Sequence, residues 1–117
     1  MIKNTDSGAY GEELAAKYLK KKGYRILERN FRSGKHEIDL IAYDKRSGYT
    51  VFVEVKTRSN SQFGLPCEAV DANKIHFLLL AEASYLKMKD AFDVPVRNDI
   101  IEVYLPDERI NHIADAF

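Results

Sequence analysis

Tryptophan is absent, cysteine occurs once (Cys67), and only three prolines interrupt 117 residues. One cysteine excludes an internal disulfide, and with His36, His76 and His112 scattered along the chain no zinc-ligand spacing is present. No run of about 18 apolar residues occurs, which excludes a membrane-spanning helix. The segment from Met1 to Gly8 lacks the apolar core of a secretory signal, and the single cysteine makes a reducing compartment, most simply the cytoplasm, the expectation. Net charge is also missing, since 18 Lys and Arg balance 18 Asp and Glu. What is present is ordinary for a folded chain: 45% hydrophobic and 31% charged residues, too apolar for disorder. The length suits one domain over residues 1–117, given roughly 100–200 residues per domain.

The charges are unevenly placed. Residues 17–35 carry Lys17, Lys20, Lys21, Lys22, Arg25, Arg29, Arg32 and Lys35 against the single acid Glu28. Residues 90–117 carry seven acids against Arg97 and Arg109. A polyanion could dock on the basic stretch; a solvated helix end explains it equally well.

Hydrophobic spacing orders the elements. Leu14, Ala15, Tyr18 and Leu19 recur at helical period in a helix that Asp6 or Ser7 can cap and that runs to about Lys22, before Gly23. Tyr24–Phe31, Glu37–Tyr43 and Thr50–Thr57 read as an antiparallel three-stranded meander. Arg58–Leu65 is a polar loop. A second helix runs from Ala69 to about Lys89, with Val70, Ile75, Leu78, Leu79, Ala83 and Leu86 as its apolar stripe. Strands at Asp99–Leu105 and Ile110–Ala114 follow. The order α-β-β-β-α-β-β predicts an α/β fold with a mixed sheet and helices on its faces.

The central hairpin carries the chemistry. Strand alternation puts Ile38, Leu40 and Ala42 on one face and Glu37, Asp39 and Ile41 on the other. It likewise separates Val51, Val53 and Val55 from Phe52, Glu54 and Lys56. A turn centred at Arg46-Ser47 pairs residues whose numbers sum to 93, which sets Asp39 opposite Glu54 and Glu37 opposite Lys56. Directly opposed carboxylates lie about 4.5–5.5 Å apart at Cβ and repel. Buried among Ile, Leu and Val they call for a counter-charge. Lys56 supplies one; a hard divalent cation such as Mg²⁺ or Mn²⁺ would supply more. Such a site suits phosphodiester hydrolysis, with the ammonium of Lys56 orienting water or neutralising charge on phosphorus. A cross-strand ion-pair network, with Glu37 on Lys56, is the alternative.

Asp39 followed fifteen residues later by Glu54-Val-Lys56 resembles the PD-(D/E)xK nuclease signature, with Ile38 where proline often stands. More of the chain resembles the YraN-like family of small bacterial predicted endonucleases, related to Holliday-junction resolvases. The matching stretches are Gly8–Leu19, Gly23–Leu27, Arg29-Asn30, Glu37–Ala42, Val51–Arg58, Arg97–Ile101 and Ile110–Phe117, in order. His36 replaces the glycine of the family's Gly-Glu-Ile-Asp motif, in which Glu37 is the glutamate. The resemblance implies a restriction-endonuclease-like core, Asp39 and Glu54 as metal ligands joined by Glu12 of the first helix, and Lys56 as the catalytic lysine.

The expected function is therefore a Mg²⁺- or Mn²⁺-dependent DNA endonuclease, with branched or flap DNA as candidate substrates. The alternatives are a non-catalytic nucleic-acid-binding module of the same fold and a protein-interaction domain. Arg29, Arg32 and Lys35 would hold phosphates; Arg58 and Lys74 are candidates for the same role, with surface charge as the plainer reading. Tyr10 and Phe63 are candidate base-stacking residues or core anchors, His36 an exposed turn residue, and Cys67 inert. No membrane partner is expected. A homodimer, with the apolar C-terminal strand as its candidate face, is left open.

Overall fold

The computed structural model describes residues 3–59 and 71–117. Helix α1 (Lys3–Lys21) is followed by strands β1 (Tyr24–Ser33), β2 (His36–Asp44) and β3 (Tyr49–Ser59), helix α2 (Ala72–Met88), and strands β4 (Val96–Leu105) and β5 (Arg109–Ile113). This is the expected order. The sheet runs β1-β2-β3-β4-β5. Only β3 and β4 are parallel, and α2 lies in the crossover between them, as a parallel pair requires. The architecture fits a restriction-endonuclease-like fold.

Each sheet face carries one helix. On one face Ala15, Ala16 and Leu19 of α1 pack on Leu40, Ala42, Val51, Val53, Ile101 and Val103. On the other, Leu78, Ala81 and Tyr85 of α2 pack on Ile38, Ile41 and Phe52. Residues 40–42 and 51–53 thus alternate between the two cores, as a strand buried on both faces must. Gly11 sits where α1 comes nearest β3: a Cβ there would overlap the Thr57 hydroxyl and stand 3.3 Å from Thr57 Cβ. Gly23 takes φ +95° immediately beyond α1, the left-handed conformation that ends helices.

Several boundaries differ from expectation. Helix α1 begins at Lys3, so Asp6 and Ser7 lie inside it rather than capping it; no proline stands there to stop the extra turn. Helix α2 begins at Ala72, capped by Asp71, whose side chain accepts from the Lys74 N–H at 2.9 Å. Pro66, Ala69 and Val70 lie outside the described residues, as does most of the Arg58–Leu65 loop; β3 continues to Ser59. Strand β4 starts at Val96 because it pairs from there with Thr50 in parallel. The buried face of α2 is Leu78, Ala81, Glu82 and Tyr85, whereas Leu79 is 46% exposed and Ala83 is exposed. The helix also exposes Phe77, Leu79, Leu80 and Met88, so its inward stripe is chosen by Phe31, Phe52 and Ile38 rather than by its own pattern.

Candidate active site

The β2–β3 turn is built on Asp44. Its carboxylate accepts from Arg46 N–H at 3.1 Å and the Ser47 hydroxyl at 2.9 Å, and its carbonyl accepts from Gly48 N–H at 2.8 Å. That turn sets the register, and the pairs from Asp44↔Tyr49 to Leu40↔Val53 all sum to 93, as expected. There the ladder stops. Strand β3 continues along β4 to Ser59↔Leu105, while β2 continues along β1 to Ser33↔His36. The two strands part below Leu40, and Ile38 turns to the α2 side to join Ile41 and Phe52. It does not share the face of Leu40 and Ala42, because alternation holds only while the strand stays regular. Nor does Glu37 reach across to Lys56: it stands beside Arg32 of β1, their carboxylate and guanidinium 3.3 Å apart.

Asp39 sits where the strands separate. Its carboxylate replaces the missing ladder bond, accepting from Val55 N–H at 2.8 Å. Burial, and then the neighbouring charge of Glu54, push the Asp39 carboxyl up to about 8; Glu12 adds to the effect, and the Val55 bond opposes it. Glu54 is buried, and its carboxylate is ion-paired with the Lys74 ammonium of α2. Burial alone would lower the Lys74 pKa, but its hydrogen bond and attraction to Glu54 outweigh this and raise it. Glu12 reaches the neighbourhood from α1, held by Asn30 Nδ2 at 2.9 Å. Asn30 does this from a left-handed turn of β1, at φ 53°. Lys56 follows Glu54 by two residues on β3, half-buried, with strand alternation placing it on the Glu54 face.

Asp39 and Glu54 therefore converge, Glu12 is within electrostatic reach, and Lys56 stands one step along the same strand. Among the described residues, no group of three or more His, Cys, Asp or Glu side chains is placed to hold a metal ion. A cation would rest on the two carboxylates and complete its shell with water, the arrangement Mg²⁺ commonly takes.

The expected phosphate-binding residues divide. Arg29 is paired with Glu13 of α1 at 2.6 Å, Arg32 with Glu37, and Lys35 is exposed at the β1–β2 turn. Arg58 is not surface charge: it is largely buried, 3.1 Å from Glu102, whose other oxygen accepts from Asn111 at 2.8 Å and the Tyr104 hydroxyl at 3.2 Å. Lys74 belongs to the acidic pair. His36 is not an isolated turn residue but stacks on Phe77 of α2, centroids 4.1 Å apart. The Tyr10 hydroxyl bonds Glu108. Phe63 and Cys67 lie outside the described residues. Strand β5 turns Ile110 against the α1-side core.

One cluster escaped the sequence reading. Asp99, fully buried, accepts from Arg97 Nε at 2.9 Å and Nη2 at 3.0 Å, and from Asp115 N–H at 3.0 Å; His112 Nε2 lies 2.6 Å away. His112 Nδ1 is 3.0 Å from the Tyr18 hydroxyl, and Arg97 donates to the Tyr24 hydroxyl at 2.6 Å. Burial would raise the Asp99 carboxyl, but the His112 and Arg97 bonds hold it below its usual range. The network joins α1, β1, β4 and β5. Its only signal was that Arg97, Asp99 and His112 fall inside stretches quoted for the family resemblance.

Residues 11–103 match the profile described as "Uncharacterised protein family UPF0102". This chain belongs to that family. Similar relatives include the UPF0102 proteins of Clostridioides difficile (strain 630), 44% identical over 99% of this chain and 100% of that protein. That of Caldanaerobacter subterraneus subsp. tengcongensis is 49% identical over 94% and 93%. That of Flavobacterium psychrophilum is 43% identical over 100% and 98%. Among solved structures, the chain is similar to Pyrococcus furiosus SfsA in complex with Ca²⁺, at 15% identity and TM-score 0.34, covering 95% of this chain and 63% of that one. A likeness that remote carries no argument about this UPF0102 chain. No helix among its described residues is long and apolar enough to cross a membrane.

Proposed function

We propose that this UPF0102 chain is a divalent-metal-dependent endonuclease of the PD-(D/E)xK type, hydrolysing phosphodiester bonds in DNA. The observation that carries the reading is the parting of β2 and β3 at Leu40↔Val53, which brings the half-buried carboxylate of Asp39 and the buried one of Glu54 together, with Lys56 on the same strand as Glu54. An acidic pair in which burial, and then the neighbouring charge, push one carboxyl up to about 8 favours any cation that enters, and its donors are hard oxygens. Asp39 and Glu54 would hold Mg²⁺ or Mn²⁺, and Glu12, bonded to Asn30, would add its negative charge from α1. When bound, such an ion would lower the pKa of a water and polarise a phosphoryl oxygen. Lys56 would face the same phosphate, orienting the attacking water and offsetting charge developing on phosphorus. Glu37 would support the site indirectly, by fixing Arg32 at its rim.

The test is incubation of the full chain with four-way, flap and plain duplex DNA, with Mn²⁺ and with EDTA. Cleavage that requires metal and disappears in Asp39→Ala and Lys56→Ala, while DNA binding persists, supports the reading. One observation favours a second reading, a nucleic-acid-binding module of the same fold without catalysis: the Lys74 ammonium already neutralises Glu54. That module would bind DNA equally with EDTA and leave every substrate intact.

A further inference from the structure

Strand β1 is one of the two edges of the described sheet. Beside it runs an open groove of about 620 Å³, within the size range of ligand sites. Lys20 from the last turn of α1, Arg25 from β1 itself and Lys45 from the β2–β3 turn rim it, and half-buried Ile26 and Leu27 contribute apolar surface. Glu28, its one acid, faces Lys89 of α2 at 4.0 Å. Arg29 also lines the groove and pairs with Leu40 of β2, beside Asp39, and the next residue, Asn30, holds Glu12. From Arg25 to Asn30 the strand advances roughly 17 Å.

Charged residues on an edge strand, with an irregularity such as the one between Ile26 and Glu28, also protect an edge from pairing with other strands. That purpose needs charges on β1 alone. Here Lys20 and Lys45 arrive from two other elements and close on the same groove, so positive charge converges beside a strand whose Arg29 pairs with Leu40, the neighbour of Asp39. The apolar surface decides between nucleic-acid forms: a duplex hides its bases, whereas a single strand offers them to apolar and aromatic surfaces while cations follow its phosphates.

We infer that the β1 groove receives a single-stranded segment of the nucleic acid, its phosphates on Lys20, Arg25 and Lys45, and leads it to Asp39 and Glu54. The inference builds on the proposed function, and it makes DNA with a single-stranded arm the substrate class.

The experiment measures binding by fluorescence anisotropy of a labelled 20-nucleotide single strand and a 20-base-pair duplex across a salt series in EDTA. The proteins are the wild-type chain, the groove variant Lys20→Gln/Arg25→Gln/Lys45→Gln, and a control of equal charge change, Lys21→Gln/Lys22→Gln/Lys87→Gln, each checked by circular dichroism. The groove variant should bind the single strand about tenfold more weakly at 0.1 M salt. Its log–log salt slope should be shallower by about two, at ~0.7 per phosphate contact. The control should stay within about twofold, and the wild type should prefer the single strand. An unchanged groove variant, an equal loss in the control, or a preference for duplex overturns the inference. Cleavage in Mn²⁺ is measured separately. Groove-dependent binding without cleavage sinks the nuclease reading alone; cleavage unaffected by the groove substitutions sinks this inference alone.

Discussion

Lys74 of α2 lays its ammonium on the Glu54 carboxylate of β3, so the helix that follows the segment after β3 supplies the counter-charge for the acid pair. A metal and Lys74 would then answer the same negative charge. Lys74→Met should destabilise the chain in EDTA by about 1 kcal/mol, a modest figure because the ammonium is half exposed to water. Millimolar Mg²⁺ or Mn²⁺ should raise the melting temperature of both proteins by linkage, and more in the variant, where no ammonium competes. Differential scanning fluorimetry with a metal titration measures this. No metal-dependent shift in either protein would count against a cation site at Asp39 and Glu54.

The Asp39 carboxyl yields a pH dependence. Its value is raised from 3.8 to about 8 in the fold, so the folded chain holds that proton more tightly than the unfolded chain. Stability from this group is fully present below about pH 4 and is lost as pH rises through about 8. Asp39→Asn cannot ionise and should escape the loss. In EDTA its stability relative to wild type should climb by several kcal/mol between pH 4 and pH 8 and then level. Urea unfolding across that range checks the sign; a flat difference would mean that Asp39 does not carry the shared proton.

Asp99 makes the opposite case, a buried carboxylate kept ionised by its partners. Arg97→Met removes the two-pronged donor and strands the charge, at an expected cost of about 3–5 kcal/mol. Asp99→Asn paired with Arg97→Met should recover a good part of the loss, since the uncompensated charge is gone. Chemical denaturation of the two single variants and the double variant measures the coupling. Additive losses would show that the network is not a unit.

Gly11→Ala tests the approach of α1 to β3. The added methyl overlaps the Thr57 hydroxyl, and the misfit should cost about 1–3 kcal/mol. Thr57→Ala removes the hydroxyl and should restore most of it in the double variant. The same cycle read in melting temperature suffices; a Gly11→Ala chain as stable as wild type would mean that α1 shifts freely on the sheet.

The sequence by itself determined the element order, the α1 stripe, the β2–β3 register and the candidacy of Asp39, Glu54 and Lys56. These are local properties: period-2 and helical spacing, and an Asp44-to-Gly48 turn whose hydrogen bonds close within five residues. Tertiary structure alone decided the rest. Helix α2 is apolar on several sides, so only the position of Phe31, Phe52 and Ile38 selects Leu78, Ala81 and Tyr85 as its buried face. The β2–β3 ladder ends at Leu40↔Val53, beyond which the Val55 N–H goes to the Asp39 carboxylate, a side-chain contact that spacing within one hairpin cannot express. Lys74 meeting Glu54, Asn30 meeting Glu12 and His112 meeting Asp99 each join different elements. Such pairings rest on electrostatics acting through space after the chain has folded, and linear order carries no record of that distance.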